Sequence, residues 1–313
     1  MTPHPTSASA ASAGAPPTGA ATGLGEDGSA AGNGGVRLHY VARGAGSGVL
    51  LLHGFPDFWY GWRNQLAAIA DAGFRAVAID LRGYNLSQRP VRVDAYALDR
   101  LAGDVVALAA ALGGGRVHVV GHDWGGAIAW RVAMRHPDAV DRLAILNAPH
   151  PQRFGELLRT PAQALRSWYV GAVQVPLVPE LLLGARRRAL LHATWTAMHH
   201  RPGAFTDVDH ARYDAAFASP GALRAALAYY RAAARHARAT LDRDGPPGGD
   251  VVRAPTLVVW GENDPALVSG NADGLERWVP DLRVRRVPGA GHFVQADAPD
   301  VVNASLTAFL GER

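Results

Sequence analysis

Arg116-Val117-His118-Val119-Val120-Gly121-His122-Asp123-Trp124-Gly125-Gly126 is the stretch on which the fold turns. Strand-forming residues lead through a sharp turn into a helical pattern running from Trp124 to His136. Glycines flank residue 123 because the turn is too tight for side chains there. A strand–turn–helix of this kind lifts the central residue clear of the sheet as an exposed nucleophile. That residue is a carboxylate, Asp123, where ester-cleaving enzymes carry a hydroxyl. The dipole of the helix beneath favours its ionised form. An Asp N-cap on an ordinary helix is the competing explanation, and the turn alone leaves the two close.

Outward from this turn, short apolar runs alternate with helical patterns. Val36–Ala42 alternates as a strand. Val49–His53 is a continuous apolar run, as in a strand covered on both faces. Arg75–Asp80, Arg142–Leu146, Thr256–Trp260 and Leu282–Val287 read as further strands. Trp62–Ala72, Asp99–Leu112, Asn271–Trp278 and Pro299–Leu310 read as helices between them. Strands separated by helices of this length predict a doubly wound, mostly parallel α/β sheet. Residues 36–148 and 250–313 form this core. Residues 149–249 interrupt the alternation with helical and aromatic segments, end in Asp244-Gly-Pro-Pro-Gly-Gly-Asp250, and predict a helical cap over the sheet edge. The first 35 residues contain 29 that are Ala, Gly, Ser, Thr or Pro. Composition of this kind predicts a disordered tail.

The 313 residues include no Cys, and all 31 basic residues are Arg. Thiol nucleophiles, Cys-based zinc sites, Schiff-base lysines and Walker-type lysines are thereby excluded. Against 27 acids the net charge is only +4. Arg186–Arg188 is the only tight basic run, so no nucleic-acid partner is expected. No apolar stretch is long enough to span a membrane, and the N-terminus lacks the pattern of a secretory signal. The expectation is a soluble, cytoplasmic protein. His199, His200, Asp209 and His210 cluster in the cap without the spacing of a metal signature, so no metal and no cofactor are expected.

Three further positions belong with Asp123. His53-Gly54-Phe55-Pro56 ends an early buried strand, and such a loop supplies one backbone donor for an oxyanion. The residue after the nucleophile supplies another. The donors are then the N–H groups of Phe55 and Trp124. An acid and a histidine should follow in chain order. Asp264, in Gly261-Glu-Asn-Asp-Pro265, follows one predicted strand; His292, in Gly289-Ala-Gly-His-Phe293, follows another. Both occupy strand carboxyl ends, where open α/β sheets bind ligands.

Taken together, HGFPDFWYGWRNQ, DLRGYNLS, GHDWGG, LNAPHP, GENDP and GHFVQ resemble the epoxide hydrolases of the α/β-hydrolase fold, over nearly everything from Val36 onward. The resemblance implies two cap tyrosines that hold the epoxide oxygen. Ser167-Trp168-Tyr169, followed by Gln174, matches the first; Tyr229-Tyr230-Arg231 matches the second, with Tyr230, beside the arginine, chosen over Tyr229. It implies a small epoxide as substrate, water as co-substrate, and a pocket lined by His53, Phe55, Trp124, Tyr169 and Tyr230. Homodimerisation is compatible with it. Asp123 would form an alkyl ester, His292 with Asp264 would activate water, and a vicinal diol would leave. A haloalkane or haloacid dehalogenase is the nearest rival, because it also needs an Asp nucleophile. Phe55, however, offers no side-chain halide donor, and Trp124 stands where haloacetate enzymes place Arg. A ligand-binding pseudoenzyme is the non-catalytic alternative, and the complete residue set speaks against it.

Overall fold

The apolar runs of the sequence are continuous because their strands are covered on both faces. All residues of β3 (Gly48–Leu52), β5 (Val117–His122) and β7 (Thr256–Gly261) are buried. They belong to one eight-stranded sheet with β1 (Glu26–Ala31), β2 (Arg37–Arg43), β4 (Arg75–Ile79), β6 (Val140–Leu146) and β8 (Leu282–Val287), in the order β1-β2-β4-β3-β5-β6-β7-β8. The computed structural model describes residues 18–175, 187–240 and 251–312. From β4 to β8 neighbouring strands are parallel, while β1 and β2 are antiparallel to their neighbours. This is the doubly wound, mostly parallel arrangement expected. Helices Arg63–Asp71, Leu98–Gly113 and Trp124–Arg135 pack on it, and helix Pro299–Leu310 packs against Arg63–Asp71. Edge strand β8 carries Arg283, Arg285 and Arg286, which suits an unpaired edge.

Two expectations are corrected. Residues 18–35 are not a structureless tail: Gly19–Thr22 is a short helix and β1 pairs with β2 from Glu26↔Ala42 to Ala31↔Arg37. Ladder bonds and polar ties give this order, neither of which apolar content reports. Gly28 lies opposite Tyr40, and a Cβ there would sit 2.3 Å from the ring, so the small residue permits the packing. Asp27 accepts from the Gly19 and Ala20 N–H groups at 2.8 and 2.9 Å and lies 3.0 Å from His39 Nε2. Residues 1–17 lie outside the described residues. The helix expected over Asn271–Trp278 is instead two 3₁₀ turns, Ser269–Ala272 and Leu275–Arg277. Asp273 is extended and Gly274 left-handed, at φ 66°, which breaks the run.

Between β6 and β7 no strand occurs among the described residues. Helices Pro151–Leu158, Pro161–Arg166, Trp168–Ala172, Arg187–Met198, Asp207–Ala218 and Ala222–Thr240 fill the interval. The loop 244–250 and Arg186 lie outside the described residues. The insertion bonds to loops that leave the carboxyl ends of β3 and β4. Trp195 Nε1–H donates to the Pro56 carbonyl at 2.9 Å, Tyr213 to Asp57 Oδ1 at 2.7 Å, and Tyr229 to the Arg82 carbonyl at 2.7 Å. Among the described residues no helix is long and apolar enough to cross a membrane.

Candidate active site

Asp123 sits between β5 and helix Trp124–Arg135 with φ 49° and ψ −118°, a conformation that a non-glycine residue seldom adopts. The neighbouring glycines make it attainable. A Cβ on Gly121 would lie 2.4 Å from the Gly125 carbonyl oxygen, and one on Gly125 would lie 2.0 Å from that of Leu52. Helix, turn and β3 therefore touch backbone to backbone, which brings the loop after β3 against the carboxylate. Phe55 N–H donates to Asp123 Oδ2 at 2.8 Å, and Trp124 N–H is a second backbone donor. Burial raises the Asp123 pKa, with the charge of His292 and these two donors opposing it. The side chain is still 20 % exposed, so a reactant can reach it.

The loops after β7 and β8 bring Asp264 and His292 to the same place. His292 Nδ1 is 2.7 Å from Asp264 Oδ2, and Nε2 is 3.8 Å from Asp123 Oδ1. Burial alone would depress the imidazole, but Asp264, aided by Asp123 and Asp297, raises its pKa to about 9. Burial likewise opposes ionisation of Asp264; the charge and hydrogen bond of His292, with bonds from Asn147 and the Leu267 N–H, outweigh it and lower its pKa. Sequence reasoning missed Asn147. Its Nδ2 donates to Asp264 Oδ2 at 2.8 Å, and its Oδ1 accepts the Gly261 N–H at 2.8 Å. Its φ of 39°, after strand β6, is a backbone signal that composition cannot carry. Arg166 was also missed; its Nη1 donates to the Asp264 carbonyl at 2.7 Å.

The insertion contributes Tyr169 and Tyr230, whose rings meet edge to face at 6.0 Å. Tyr230 is 4.9 Å from the Trp124 ring and 6.0 Å from that of Phe55, and its hydroxyl is hydrogen-bonded with the Trp124 side chain. Both phenols have raised pKa values, chiefly through burial, with Asp123 contributing. Tyr229 is occupied elsewhere, on the Arg82 carbonyl. Gln174 and Arg231 serve as straps between the tyrosine segments. Gln174 Nε2 donates to the Tyr230 carbonyl at 3.3 Å, and Arg231 Nε to the Val173 carbonyl at 3.0 Å.

The expectation that His53 contacts substrate is corrected. It is wholly buried; Nδ1 bonds the Gly54 carbonyl at 2.8 Å and Nε2 accepts the Leu81 N–H at 3.1 Å. Burial lowers its pKa to about 4, so it is a neutral support for the loop. The cap histidines do not converge. His199 faces Asp297, His210 packs on the His192 ring at 4.2 Å, and Asp209 belongs to the cap of its own helix.

Strand order, elbow and the paired Asp264 and His292 define a hydrolase of the α/β type. The alpha/beta hydrolase fold family model matches residues 49–299, and the chain belongs to that family. Among curated relatives it is 37% identical over 279 residues to AB hydrolase superfamily protein YfhM of Bacillus subtilis, covering 88% of this chain and 95% of that one. It is 37% identical over 289 residues to human Epoxide hydrolase 4, covering 89% and 77%. Among solved structures, the inhibitor complex of Bacillus megaterium epoxide hydrolase superposes with a TM-score of 0.81 at 33% identity, covering 91% of this chain and all 100% of that one.

Proposed function

We infer that the protein is an epoxide hydrolase, opening an epoxide to a vicinal diol through an alkyl ester on Asp123. The observation that carries this reading is one carboxylate with two facing partners. Oδ2 accepts the Phe55 N–H at 2.8 Å, while Oδ1 faces His292 Nε2 at 3.8 Å. That sets a charge-binding donor on one side and, on the other, a base within reach of a water beside the carboxylate. Asp123 attacks a ring carbon and the C–O bond opens toward Tyr169 and Tyr230, which stabilise the alkoxide and donate a proton. Water, deprotonated by His292 against Asp264, then adds to the ester carbonyl. Its oxyanion is held by the N–H groups of Phe55 and Trp124. Collapse releases the diol and restores the carboxylate. The helical insertion acts as the cap that keeps bulk water from the alkoxide. Relatives named as epoxide hydrolases support the substrate class.

The test is a single turnover in ¹⁸O-water with enzyme in excess over styrene oxide or an aliphatic terminal epoxide. The first-turnover diol should contain only light oxygen, and the heavy atom should appear in the peptide carrying Asp123. Heavy diol in the first turnover would mean direct hydration and overturn the reading. Halide release from a bromoalkane, with no diol from either epoxide, would favour the dehalogenase instead.

A further inference from the structure

The imidazole of His292 is carried on a loop that the helical insertion grips from the far side. His292 N–H donates to the Met198 carbonyl at 3.0 Å. Met198 ends helix Arg187–Met198, so this bond serves a terminal carbonyl that the helix itself leaves without a partner. Just beyond, Asp297 Oδ2 accepts two N–H groups, from Gly291 at 2.7 Å and from His200 at 3.0 Å. Oδ1 is 2.8 Å from His199 Nδ1. The His199 ring stacks on Phe293 at 4.8 Å and packs against Phe205 at 4.3 Å. A side chain at 291 is excluded, because its Cβ would lie 2.5 Å from the Met198 oxygen. The Asp297 side chain is fully buried. One carboxylate therefore joins the residue before His292 to residues 199 and 200 of the insertion.

We propose that Asp297 is a positioning residue for the second half of the reaction, fixing His292 relative to the insertion so that the base meets the water that attacks the ester. The proposal rests on the two-step reading above. Ester formation uses Asp123 and the tyrosines and does not require His292 to be placed for proton abstraction. Ester hydrolysis does, and a displacement near 1 Å costs about a hundredfold in such steps. The groups facing His292 are Asp264, Asp123, His122 and, through the loop, Asp297 with its partner His199. The negative charge of Asp297 also favours the imidazolium.

Stopped-flow traces on the full chain, with the fastest epoxide of the two probes, separate the two steps. Asp297→Ala should slow ester hydrolysis by about tenfold or more and leave ester formation within about twofold. Asp297→Asn can keep both N–H bonds through its carbonyl and donate to His199 in the other tautomer. It should retain hydrolysis within about threefold. Having lost the charge, it should shift the acid limb of hydrolysis to lower pH, since a less basic His292 is neutral at lower pH. A role in folding alone would not move that limb. Equal slowing of both steps, or unchanged hydrolysis in Asp297→Ala, overturns the proposal. Should Asp297→Ala fail to fold, His199→Phe keeps the ring packing and removes the bond. A selective loss of hydrolysis supports the proposal, and wild-type hydrolysis overturns it. If the wild-type chain forms no ester, the enzymatic reading fails instead.

Discussion

Tyr229 and Tyr230 are neighbours in the chain with opposite duties. The Tyr229 hydroxyl donates to the Arg82 carbonyl, whereas Tyr230 lies on Trp124, close enough to feel the Asp123 charge. Tyr230→Phe should slow ester formation about a hundredfold, the usual cost of losing one donor to a developing anion. Tyr229→Phe should lower unfolding free energy by roughly 1 kcal/mol and leave ester formation within about threefold. Rapid kinetics and denaturant titration on both variants check the pair. Identical kinetic losses would mean that the wrong hydroxyl has been assigned. At this scale the sequence was informative where an ionisable side chain sits in a short motif at a strand end, as Asp123, Asp264 and His292 do. It put His53 wrongly in the pocket and was silent on Asn147. The HGFP motif says that a histidine stands there, but only the packed structure shows both ring nitrogens taken by the backbone. Asn147 performs its task through a left-handed backbone that many loop asparagines adopt.

At the scale of elements, the elbow depends on empty space. Gly125→Ala would drive a methyl to 2.0 Å from the Leu52 carbonyl oxygen, backbone that cannot swing aside. The variant should lose roughly 3 kcal/mol or more of stability, or fail to accumulate as folded protein. Thermal melting, with solubility on expression, provides the check, and a wild-type melting temperature would contradict the packing described. Buried strands were readable because covering both faces forces apolar residues at every position, as in β3 and β5. Strand β1 was not readable. Most of its residues are exposed, and its small residues serve by letting Tyr40 close over Gly28. The two 3₁₀ turns around Asp273 and Gly274 kept a helical apolar spacing without the hydrogen bonds to match.

For the whole molecule, the contact between core and insertion has its own pH dependence. Asp57 is buried, accepts from Tyr213 and the Phe58 N–H on Oδ1, and leaves Oδ2 without a partner. Burial pushes its pKa up to about 7. Between the ordinary Asp value of 3.8 and about 7 the folded chain thus holds this proton more tightly than the unfolded chain. Stability from this group is present at low pH and falls as pH rises through that window. Asp57→Asn, which keeps an acceptor for both donors, should raise stability at pH 8 by on the order of 2 kcal/mol and change it little at pH 4. Urea titrations at the two pH values check this. An equal effect at both would remove the electrostatic explanation.

The 3.8 Å between His292 and Asp123 has a consequence for timing. In the proposed cycle Asp123 is an anion before it reacts, and its field adds to that of Asp264, the larger cause, in favouring the charged imidazole. Alkylation would erase that anion and leave Asp264 and Asp297 as the charges favouring the imidazolium, so the ring would give up its proton more readily once there is an intermediate to cleave. The order of the two steps would then be favoured by charge alone, one side chain sensing whether the other is still ionised.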